Sequence, residues 1–162
     1  MATRTEHTAL IYVMVLVSAA DSNMADRELY MMGEIVRLLP AFRAFDQGQL
    51  PKVAEQCAKK LGKDGLDSVI AYVVRTLPPH LRETAYVLAC DIAGVKGRLR
   101  SPEIKFLEFL RHSLGIGRLP AAAIERAAKA RYQGLTPHGP TIPATPHPAK
   151  RSKAKRQSRA GR

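Results

Sequence analysis

Apolar residues at Leu10, Val13, Val17 and Ala20 recur every three or four positions, the spacing of a helix with one buried stripe. They run into a short polar stretch, Asp21-Ser22-Asn23, ahead of Met24. Past Glu28 a second stripe begins, formed by Leu29, Met32, Ile35 and Leu39. The same plan returns 75 positions later. Ala85, Leu88, Ile92 and Val95 lead into Lys96-Gly97-Arg98-Leu99, and Glu103 then introduces Ile104, Leu107, Leu110 and Leu114. The two stretches share few identities, so the match lies in pattern. It predicts an internal repeat of a helical hairpin, two pseudo-twofold mates around one hydrophobic core.

No stretch alternates as a half-buried strand does, and the expected fold is all-α, a compact bundle of about seven helices. They are predicted over 5–20, 26–39, 49–61, 65–77, 80–94, 101–114 and 120–133. Pro40 stops the second, while Pro51 suits a first turn where no amide donor is needed. Gly62 and Gly65 bracket an expected turn, and Pro78-Pro79 end the fourth helix. Ser101-Pro102-Glu103 reads as a helix start with Ser101 as cap. Gly115 and Gly117 close that helix, Pro120 opens the last, and Gly134 is its expected terminator. From Thr136 the composition turns rich in proline and then in lysine and arginine. Such a segment has little apolar surface to bury, so residues 1–135 form the domain and 136–162 a disordered basic tail.

At 162 residues and 46% hydrophobic content, the chain has enough apolar material for one core. Its 26 basic and 14 acidic residues give a charge of +12, unevenly spread. Lys150, Arg151, Lys153, Lys155, Arg156, Arg159 and Arg162 lie in the tail without an acid, leaving 19 cations and 14 acids elsewhere. Seven such cations suit the phosphates of a nucleic acid or an anionic membrane surface, or simply a solvated end. With no aromatic residue among them, binding to nucleic acid would be blind to sequence. Cys57 and Cys90 fall in predicted helices without CxxC spacing and read as buried thiols of a reducing cytoplasm. Residues 9–20 (ALIYVMVLVSAA) have some character of a signal peptide, but Glu6 sits in the would-be basic leader. The segment also falls short of the roughly 20 residues of a membrane span. It is expected to be a buried helix of a cytoplasmic protein.

Candidate chemistry centres on the two turns. Asp21 and Glu28 flank the first, and two carboxylates there could serve a hard cation such as calcium, which usually takes about six to eight oxygens. An EF-hand is excluded by spacing. The plainer reading has Asp21 shaping a turn while Asp26 and Glu28 favour a helix start. Ala20-Asp21-x-x-Met24-x-x-x-Glu28, with its displaced partner from Asp91 to Glu103, resembles the TerB-like family of tellurite-resistance proteins over about residues 5–134. The resemblance implies a helical module of tellurite and stress-response operons, working with protein partners. It also implies a divalent-cation site (calcium, magnesium or zinc) with Asp21, Glu28, Asp91 and Glu103 at the acidic positions. The chain departs from the family pattern at Ser22, where glycine is usual, and at Lys96, where an aspartate is usual. Lys96, Arg98 and Arg100 are expected to pair with Asp91 and Glu103 and to weaken any metal site there. No P-loop, Rossmann fingerprint or nucleophile–base arrangement is present, and His7, His80 and His112 stand apart, so a non-catalytic protein is expected.

Overall fold

A helix that is apolar all round has no face to offer water and belongs in the middle of a bundle. α1 (Arg4–Ala19) is such a helix: every residue from Ala9 to Val17 is buried. α4 (Pro79–Val95) lies against it and buries Ala85, Leu88, Ala89, Ile92 and Ala93. These coordinates are a computed structural model describing residues 4–20, 26–97 and 99–135. Around the central pair stand α2 (Asp26–Leu38), α3 (Leu50–Thr76), α5 (Ser101–Ser113) and α6 (Arg118–Arg131). α1 packs chiefly on α3 and α4, while α4 also carries α2, α5 and α6. Two short 3-10 turns, Pro40–Phe42 and Gln47–Gln49, join α2 to α3, and no strand occurs among the described residues. The fold is all-α.

α3 is two helical segments in one. Gly65 breaks it with φ 79° and ψ 168°, a combination essentially confined to glycine, so the six α-helices among the described residues come close to the expected seven. Gly62 stays helical, contrary to the expected two-glycine turn. The helix bounds carry the 75-residue offset: α1 and α2 begin at residues 4 and 26, α4 and α5 at 79 and 101. The burial pattern follows it at Val13 and Leu88, Val17 and Ile92, Met32 and Leu107, and Ile35 and Leu110.

Leu29 and Ile104 break the expected stripes in the same way, being 43% and 52% exposed. The buried side of each helix instead starts one residue earlier, at Glu28 and Glu103. α5 starts differently from the expectation too: Arg100, in extended backbone, is its N-cap, and Ser101 is already helical. At its far end Gly115 takes φ 70°, its N–H donating to His112 O and that of Ile116 to Arg111 O, a Schellman closure. α6 begins at Arg118, with Pro120 in its first turn, and stops at Arg131, so Gly134 is not its terminator. No helix among the described residues is long and apolar enough to cross a membrane. The tail, 136–162, lies outside the described residues.

Candidate functional site

Three helix ends meet at Lys96. It is the C-cap residue of α4, where unpaired carbonyls favour a cation. Glu28 and Glu103 are the third residues of α2 and α5, where unpaired amides favour a carboxylate. The Lys96 ammonium lies 2.7 Å from Glu103 Oε1 and 3.2 Å from Glu28 Oε1. The Lys96 side chain is 13% exposed and the two glutamates 2% and 1%. By distance these are ion pairs; the angles are not those of well-aligned hydrogen bonds. Glu103 works on both sides: its Oε2 accepts the N–H of Arg100 at 2.7 Å, capping α5 while Oε1 faces Lys96.

Two of the four acidic positions are thus brought together, and a lysine stands between them. Lys96 pairs with Glu103 as its charge suggested, but the pairing is buried and extends to Glu28 across the fold. A buried pair differs in kind from a surface pair, because removing one partner strands a desolvated charge. Asp91 is held elsewhere. Its carboxylate pairs with the Arg131 guanidinium at the end of α6, while Arg98, an expected partner, lies outside the described residues. Burial raises the Asp91 carboxyl above its ordinary range, and Arg131 offsets part of that rise. Asp21 lies outside the described residues, as do the seven tail cations. Among the described residues no group of three or more His, Cys, Asp or Glu side chains has an arrangement able to hold a metal ion.

Sequence reasoning missed what fixes Asp91. Arg131 is followed by Tyr132, whose ring lies over Gly94 of α4 and whose hydroxyl donates to Met31 Sδ of α2 at 3.9 Å. A Cβ built on Gly94 would stand 2.4 Å from Tyr132 Cδ2, so this ring seat requires glycine. The only hint in the sequence is a glycine inside a strongly apolar helix, which is a sign of close approach.

The thiols are poor candidates for nucleophilic chemistry. Burial pushes Cys57 up to about 12, and burial with the Glu125 and Asp91 charges does the same to Cys90. Tyr86 is raised well above the ordinary phenol range by burial and by its 2.6 Å hydrogen bond to Glu125 Oε1. His7 Nε2 is within 2.9 Å of Ala41 O, and its ring stacks on Phe42. Set beside family models, curated proteins and solved structures, the chain finds no match.

Proposed function

We propose that the protein is a TerB-like stress-response module that works without catalysis, as a helical scaffold for protein partners in a tellurite- or stress-response complex. The observation carrying this reading is the Lys96 ammonium between Glu28 and Glu103. The resemblance implies a divalent cation at the acidic turns, and here a tethered cation sits between two of the four positions. On this reading the site is degenerate: its charge is balanced from within the chain, and calcium, magnesium or zinc is not needed to hold α2 and α5 together. The departure at Lys96, where aspartate is usual, becomes the feature that makes the scaffold independent of metal. Thermal melting with calcium, magnesium or zinc added, against a chelator control, tests this. The expected result is an unchanged melting temperature with each ion. A saturable rise with any of them would show that a divalent site persists.

A second reading rests on a different part of the chain. Seven of the 26 basic residues lie beyond Pro137 without an acid, and they suit sequence-blind contact with nucleic-acid phosphates. Such a tail neutralising seven phosphates gives log K a slope near −6 against log salt, from about −0.9 per contact. Removing residues 137–162 is expected to leave melting unchanged and to abolish most retention on nucleic acid. Undiminished retention would place the contact surface in the helical domain alone.

A further inference from the structure

The end of α6 shows how this chain seats an aromatic ring. Tyr132 lies over Gly94 of α4 and donates to Met31 Sδ of α2, while its neighbour Arg131 holds Asp91. Three residues on two helices thus receive residues 131 and 132. Each has a counterpart in the expected repeat. Leu16 and Ala19 stand 75 residues before Asp91 and Gly94, and Phe106 stands 75 residues after Met31. These three counterparts belong to α1 and α5, and all of them line a single cleft.

The cleft has a volume of about 360 Å³, at the lower end of the range for ligand pockets. Its third wall comes from α3, where Leu61 and Leu66 line it from either side of the Gly65 break. Phe106 and Phe109 line it from α5. Leu66 and Phe109 are each 37% exposed, so the lip is open to solvent. Of the nine lining residues only Lys105 carries a charge, which suits an uncharged occupant. Among the described residues no ring fills this cleft as Tyr132 fills the first seat. α3 follows α2 as α6 follows α5, but its one aromatic residue, Tyr72, packs on Tyr12 with ring centroids 5.5 Å apart.

We infer that this cleft docks an aromatic side chain of a partner protein, seated against α1 and α5 as Tyr132 is seated against α4 and α2. The inference deepens the scaffold reading above and rests on it for the partner being a protein. Apolar walls take the ring out of water, and Phe106 and Phe109 offer edge and face contacts. Those contacts favour an aromatic side chain over an aliphatic one of equal size. The open lip leaves room for the backbone that carries the ring, which a closed cavity would not.

Leucine-methyl NMR of the full chain, titrated with p-cresol and with N-acetyltyrosinamide, tests the inference. Saturable shifts at Leu16, Leu61 and Leu66 are expected with both probes. 4-Methylcyclohexanol, the saturated form of p-cresol, is expected to bind about 2–10-fold more weakly for want of ring–ring contact. Ala19→Leu fills the seat and is expected to abolish the shifts at Leu61 and Leu66 while the melting temperature holds. Leu66→Ala shortens the exposed lip and is expected to weaken binding about tenfold. No saturable shift with p-cresol, or shifts that survive Ala19→Leu, would overturn the docking site. Equal binding of p-cresol and its saturated form would overturn the preference for a ring. Binding of p-cresol with none of N-acetyltyrosinamide would overturn a side chain as the occupant. None of these readouts involves a metal, so their failure is distinct from a failure of the scaffold reading.

Discussion

Cys57 and Cys90 show how strongly single residues respond to this core. Each thiol has an ordinary pKa near 9.0 and is raised to about 12, chiefly by burial. Between those values the unfolded chain releases protons that the folded chain keeps. Stability is therefore full below about pH 9 and falls as pH rises toward 12, by up to about 1.4 kcal/mol per unit for each thiol. Urea unfolding under reducing conditions at pH 8 and pH 10 is expected to show this decline. A C57A/C90A variant is expected to start less stable, through lost packing, and to decline less steeply. A variant that loses stability with pH as fast as the native chain would show that other groups set the alkaline limit.

Among the elements, α6 depends on one tight seat. The Tyr132 ring on Gly94 and the Arg131–Asp91 pair fasten its end to α4. Gly94→Ala puts a methyl where the ring is, and overpacking of this kind costs about 1–3 kcal/mol. Gly33, in the middle of α2, has nothing within 4 Å of an added Cβ, so Gly33→Ala is expected to stabilise by about 0.4–1 kcal/mol. Paired denaturation curves would check both signs. A stable Gly94→Ala protein would mean that the tyrosine seat is not needed. Helix positions were legible in the sequence because their punctuation is local: Pro79 and Pro102 sit in first turns, and Gly115 closes α5. The spacing of apolar positions suggested a repeat, and the starts of α1 and α2 stand 75 residues before those of α4 and α5. Leu29 and Ile104 misled because each lies next to the true inward position, held by a glutamate that pattern reading assigns to solvent. Nor could local sequence show that Glu28 and Lys96 meet, or that Asp91 turns to Arg131. Those contacts depend on how α2 and α6 pack on α4.

For the whole molecule, Lys96 ties the ends of three helices together through its ion pairs with Glu28 and Glu103. Both carboxylates are buried, and both sit at helix starts, where the backbone amides help to stabilise their charge. Deleting the ammonium would remove the cation that stands between two buried carboxylates. Breaking a buried pair costs about 3–5 kcal/mol, yet an apolar replacement of the whole group is often nearly neutral. The most direct test is urea unfolding at pH 7 of Lys96→Met beside the triple variant E28Q/K96M/E103Q. The expected result is a loss of about 3–5 kcal/mol in Lys96→Met, most of it recovered when both glutamates are neutralised. A Lys96→Met protein as stable as the native chain, or a triple variant no better than Lys96→Met, would contradict the account.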